Sequence, residues 1–170
     1  MAEIILMTDR ADNAYEQWQR ERPDLDPFPM QVVGRLFEAT LRLERDHLNP
    51  LFARFGLRPG EFDVLATLRR SGAPYALTPT QLYEALMVSS GGMTNRIDRL
   101  EQAQWVARQI NPRDRRGTLV TLTEQGRELM DALVTLHTDN ERQALTSLSD
   151  DEQQQLNLLL KKLLAGLPQP

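Results

Sequence analysis

Apolar residues recur at helical spacing through most of the chain, and the pattern changes to alternation in one short stretch. The spacing predicts a short helix over residues 10–22, closed by Pro23 and followed by a Pro- and Asp-rich linker at 24–29. A longer helix is predicted from Met30 to Phe55 on the stripe Val33, Leu36, Phe37, Leu41, Leu48, Leu51, Phe52 and Phe55. Pro50 should kink or split it, and Gly56 suits the position past its end. A third helix runs over about 60–70, with Phe62, Leu65 and Leu68 on one face. Thr78-Pro79-Thr80-Gln81 reads as a capping box with Pro at the first helical position, opening a short helix to about Leu86. Ser89 is a good cap for the next helix, which extends to about Gln104; Gly91-Gly92 leaves open a later start, at Gly92.

Trp105 to Ile110 then reads as a strand, 111–117 as a polar turn, and Thr118 to Leu122 as a second strand, giving a hairpin. Thr123 caps a long helix to about Leu145. Ser149-Asp150-Asp151-Glu152 opens a last helix to Ala165. Two short helices followed at once by a hairpin make a winged helix-turn-helix. The expected fold is therefore mainly α, with one small β-hairpin wing. A single domain is expected overall: an N-terminal extension with an extra helix (1–29), dimerisation helices (30–55 and 124–166) and a DNA-binding winged region (56–123). Leu156, Leu158, Leu159, Leu160, Leu163 and Leu164 crowd more than one face of the last helix. This predicts burial against a second copy in a two-fold homodimer.

Charge alters that picture only when it is divided. The 170-residue chain carries −4 in total, which on its face argues against nucleic acid. Residues 88–117 hold six arginines against three acids, a local +3, which leaves −7 for the rest. The basic segment coincides with the second helix of the motif and the wing. The absence of cysteine excludes thiol chemistry and Cys-based metal centres, and with only His47 and His137 a multi-His metal site within one chain is not expected. No nucleophile–base pair and no phosphate loop is present, so neither an enzyme nor a cofactor is expected. No run approaches the ~20 apolar residues of a membrane span, and the expectation is a cytoplasmic protein without membrane contact.

The second helix of such a motif places its first residues on base edges in the major groove. The candidates are Ser89, Ser90, Gly92, Thr94, Asn95, Arg96 and Arg99: hydroxyls for phosphate or base, Asn95 for adenine, arginines for guanine or phosphate. Arg113, Arg115 and Arg116 on the turn suit a narrow, electronegative minor groove. Two copies would read a pseudo-palindromic operator in double-stranded DNA.

The run from Asp114 to Gly126, a D-x-R followed by an alternating strand and L-T-x-x-G, resembles the wing signature of MarR-type regulators. Residues 21–26, 61–70, 72–76 and 98–103 are similar to the urate-responsive branch of that family, over about residues 12 to 165. The resemblance implies a repressor whose DNA affinity is lowered by a small anionic effector, urate or a related purine. It implies that Asp114 pairs with Arg116 and stiffens the wing. It also assigns the effector site to Trp18 in the extra first helix, Asp63, Arg96 and Arg108. An effector of the phenolic or lipophilic class is the alternative. Gly117 departs from the pattern, standing where relatives often have Ser.

Overall fold

In the computed structural model of the chain, residues 8–86, 92–112 and 114–168 are described, the side chain of residue 115 excepted. Ser89, Ser90 and Arg113 therefore lie outside the described residues. Two compact units divide at Asp46 and His47.

The first unit holds α1 (Arg10–Glu21) and α2 (Phe28–Arg42). Asp9 and Asp12 form a reciprocal capping box at the start of α1: each side chain accepts the other's backbone N–H, at 3.0 and 2.8 Å. Both carboxylates also take Arg35 of α2, with Nε 2.7 Å from Asp9. That guanidinium, with the Asp12 N–H, holds the Asp9 carboxyl down to about 2. One cap thus performs a second task, docking α1 on α2. No residue of α2 itself is buried, and Phe37 and Leu41 are exposed.

Residues Leu43–Leu48 are π-helical and lead into the short α3 (Asn49–Ala53). The kink expected at Pro50 takes this form. Proline supplies no N–H and its ring crowds the carbonyl four residues back, and a widened turn is one way to relieve that conflict.

The second unit continues with α4 (Glu61–Arg70), β1 (Ala76–Leu77), α5 (Pro79–Ala85), α6 (Met93–Gln102), β2 (Val106–Asn111), β3 (Asp114–Leu122), α7 (Glu124–Ala144) and α8 (Asp150–Gly166). Its core joins Val64, Leu65 and Leu68 of α4 to Leu82, Ile97, Leu100, Val106, Val120, Met130 and Leu133. Phe52 stacks on Phe62 at 4.4 Å, and the His137 ring lies 4.4 Å from Phe62. His137 is thus a core-packing residue, with Nε2 3.2 Å from Glu141.

Helix α5 buries only Leu82 fully. One such side chain contributes about 1.5–3 kcal/mol, and an N-cap about 1 kcal/mol. The Thr78–Gln81 capping box, with reciprocal bonds at 2.9 and 3.1 Å, therefore carries a substantial share of what seats this helix.

The sheet has the order β1-β3-β2, all antiparallel. β1 pairs Ala76 with Thr121 and was not among the predicted elements; two residues are too few for a period to register. The wing also differs from the expected hairpin. Residues 114–117, predicted as turn, belong to β3. Ile110 pairs with Thr118 but Asn111 pairs with Asp114, so Arg115, Arg116 and Gly117 form a bulge opposite a single step of β2. Trp105 lies outside β2, because Gln104 before it turns through the left-handed region at φ +61°.

The L-T-x-x-G stretch has a direct physical cause. Thr123 Oγ1 accepts the Gly126 N–H at 3.0 Å and donates to the Gln104 carbonyl at 2.7 Å. A Cβ on Gly126 would sit 2.0 Å from the Trp105 carbonyl oxygen. Only glycine lets α7 begin there. Gly126→Ala should cost roughly 1–3 kcal/mol, as overpacking does, and lower the melting temperature measured by circular dichroism. An unchanged melting temperature would contradict this contact.

Candidate nucleic-acid interface and effector site

α6 presents two chemically distinct sides. Met93, Ile97 and Leu100 are buried, at the i, i+4, i+7 spacing of one stripe. Thr94 and Asn95 point to solvent at the start of the helix, where a base-reading helix needs them. Of the two starts compatible with the sequence, the described helix takes the later one. Gly92 is its N-cap at φ +82°, and a Cβ there would meet nothing within 4 Å. The glycine is required by conformation and not by space.

Both arginines of α6 turn toward α4. Arg99 Nε lies 2.6 Å from Oε1 of Glu61, a carboxylate only 2% exposed. Its other oxygen accepts the Arg58 backbone N–H at 2.7 Å. Arg99, predicted as a DNA contact, is thus ion-paired within the fold. The Arg96 guanidinium lies over Gly60, where a Cβ would come within 2.6 Å of Cζ. Burial pushes the Asp63 carboxyl above its usual range, and the nearby Arg96 charge pulls the other way. Two of the four predicted effector residues, Asp63 and Arg96, are therefore electrostatic neighbours.

The third, Arg108, is held by α6 from the wing side. Its Nη2 meets Asp98 Oδ1 at 2.5 Å, and its Nη1 pairs with Glu101 Oε2. Its backbone N–H donates to Glu101 Oε1 at 2.9 Å. The bond to Asp98 is the main cause of an Arg108 pKa above its ordinary value. Trp18, the fourth, belongs to α1 in the first unit and is 41% exposed.

At the wing, Asp114 Oδ1 accepts the Arg116 backbone N–H at 3.0 Å. This is an Asx-type turn, and the contact between Asp114 and Arg116 runs through the main chain of Arg116. Among the described residues no group of His, Cys, Asp and Glu could hold a metal ion, and no helix is long and apolar enough to cross a membrane.

Three residues that hold this arrangement together, Glu61, Asp98 and Glu101, were absent from the predicted site. The i, i+3 spacing of Asp98 and Glu101 puts two acids on one helix face, which is a signal for a basic partner. Nothing local in the sequence points from Glu61 to Arg99.

Helices α5 and α6 followed by a bulged wing define a winged helix-turn-helix protein. The MarR family model matches residues 57–118. The HTH-type transcriptional regulator PecS of Dickeya dadantii is 44% identical over 148 residues, covering 87% of this chain and 89% of its own. A mutant of Escherichia coli MarR solved with operator DNA superposes with a TM-score of 0.68 at 30% identity, covering 86% of this chain and 97% of that one. A structure of Bordetella bronchiseptica BpsR, on regulation of its DNA binding by 6-hydroxynicotinic acid, gives a TM-score of 0.67 at 26% identity, covering 81% and 94%. The chain belongs to the MarR family and is a transcriptional regulator of the helix-turn-helix type.

Asp63 supplies a test of the site's electrostatics. Its pKa is raised in the folded state, so folding favours the protonated form. Its charge therefore opposes folding at neutral pH, and this cost is relieved as pH falls through the raised value toward 3.8. Asp63→Asn should raise the melting temperature at pH 7 by a few degrees, with the gain shrinking toward pH 4. A loss of stability at pH 7 would contradict the dominance of desolvation.

Proposed function

We propose that the protein is a homodimeric repressor that binds a pseudo-palindromic operator in double-stranded DNA and releases it when a small anionic effector binds. The observation that carries the DNA-binding reading is the solvent-facing Thr94–Asn95 edge of α6, seated on its buried stripe, together with the arginine-bearing bulge of β3. Ser89, Ser90, Gly92 and Arg96 would complete the major-groove contacts, with Arg99 shared between Glu61 and the DNA backbone. Arg113, Arg115 and Arg116 would serve the minor groove. The relative with operator DNA supports this reading.

The dimer reading rests on faces that leave apolar side chains in water. Leu158, Leu159 and Leu164 of α8 are 63–65% exposed, and α8 buries no residue within the chain. A helix of 17 residues is marginal alone and gains most of its stability from packing. A second copy supplies the missing surface. With DNA as its target and no membrane partner, the protein would act in the cytoplasm.

For the effector, urate or a related purine is the reading we favour. Urate at neutral pH is a flat monoanion, and it needs a cation, an aromatic face and hydrogen-bonding groups. Arg108 would supply the cation and Trp18 the ring. The added negative charge would then act on Asp63, and through Arg96 on α6, biasing the dimer between two states. The similarity to PecS, over most of both chains, supports this site. A second reading, a hydroxylated aromatic acid of the phenolic class, is favoured by the BpsR relative.

Band shifts on the DNA upstream of the protein's own gene should show binding that weakens steeply with salt, on the order of 10³-fold between 50 and 200 mM. Urate should release that complex more effectively than salicylate, and Trp18→Phe should blunt the response. Indifference to millimolar urate, together with a strong salicylate response, would replace the urate reading with the phenolic one. A lack of binding at low salt would overturn the DNA-binding reading.

A further inference from the structure

Arg108 already holds two carboxylates. Its guanidinium holds Asp98 and Glu101, so one positive charge already faces two negative ones. A third negative group added to that cluster would be repelled by the local net charge of −1. Exchange with a resident carboxylate removes that repulsion and is the route by which an anionic effector would engage Arg108.

The geometry shows which carboxylate gives way. Glu101 is anchored twice, by Nη1 and by the Arg108 backbone N–H. Asp98 is held at Nη2, and its side chain is the more exposed of the two, 47% against 38%. Asp98 also follows Thr94 by four residues and Asn95 by three, so all three share one surface of α6. That surface is the one offered to DNA.

We infer that Asp98 is a masked negative charge on the DNA-reading face, paired with Arg108 in the free protein and left unpaired when an anion takes Arg108. The inference rests on the effector reading above for its trigger, while the masking itself stands on the ion pair. DNA is a dense array of phosphates, and a bare carboxylate presented to it costs affinity directly. The wing arginine is thus a charge mask for the recognition helix.

A double-mutant cycle without any effector tests the masking. Operator affinity is measured for the full-length wild type, Arg108→Met, Asp98→Asn and the double variant, with circular dichroism confirming the fold of each. Arg108→Met should weaken binding about tenfold by baring Asp98, and adding Asp98→Asn should recover at least about threefold of that loss. Arg108→Gln provides the same comparison if the Met variant is unstable. If Arg108 instead bound phosphate or merely supported the wing, the double variant would stay as weak as Arg108→Met, and the inference would fall.

The trigger is tested by titrating urate, by calorimetry, into DNA-free wild type and Asp98→Asn. The variant should bind urate about twofold to fivefold more tightly, since the resident competitor is gone, yet release DNA less completely. Rescue in the cycle with a wild type blind to urate would reject the effector reading and leave the mask standing. Absence of rescue would reject the mask whatever urate does.

Discussion

A carboxylate taken out of water must find partners, and Glu61 has found two on different elements. It accepts the Arg58 N–H beside α4 and the Arg99 guanidinium of α6 while only 2% exposed. Apolar contacts among Leu65, Ile97 and Leu100 hold α6 against α4, but dispersion and water exclusion are weakly directional. The ion pair fixes which turn of α6 meets which turn of α4. Breaking it would leave a buried charge unmatched, a far larger penalty than the pair's net contribution. Its value is positional, and the exposed Thr94 and Asn95 are aimed as a result.

The other side of α6 repeats the device with the signs reversed. Toward α4 the helix offers arginines to acids; toward β2 it offers acids to an arginine. Arg96 closes over Gly60 at the first contact, and Arg108 closes over Asp98 and Glu101 at the second. A DNA-reading helix suspended in this way is sensitive to charge on either flank. That sensitivity fits the anionic effector proposed above, because such a ligand and the restraint would be made of the same interaction. Part of the +3 of that segment is used internally, since Arg99 and Arg108 are partners of carboxylates within the fold.

Much of the fold was legible because its signals are local. The capping boxes at Thr78 and Ser149, the buried stripe of α6 and the Thr123 cap all follow from residues within one turn of each other. The failures share a different cause. β1 is too short to show alternation and exists only because β3 pairs with it. The wing turn was drawn too long because Arg115, Arg116 and Gly117 look like loop, whereas a partner strand makes them a bulge. The site was half legible for the same reason. Asp63, Arg96 and Arg108 come with a recognisable pattern, but Asp98 and Glu101 acquire meaning only when β2 brings Arg108 against α6, and Glu61 only when α4 meets Arg99, 38 residues away in sequence.

The close approach at Gly126 has a mechanical reading as well. α7 starts in contact with the Trp105 carbonyl at the foot of the wing and continues for 21 residues, about 30 Å of rigid rod. With no side chain to cushion the joint, the wing and the rod share one fulcrum. A tilt of about 5° at Trp105 would sweep the far end of α7 through roughly 3 Å, given that length. A single missing methyl group thereby gears small rotations of the wing into displacements large enough to be felt wherever the end of that helix is packed.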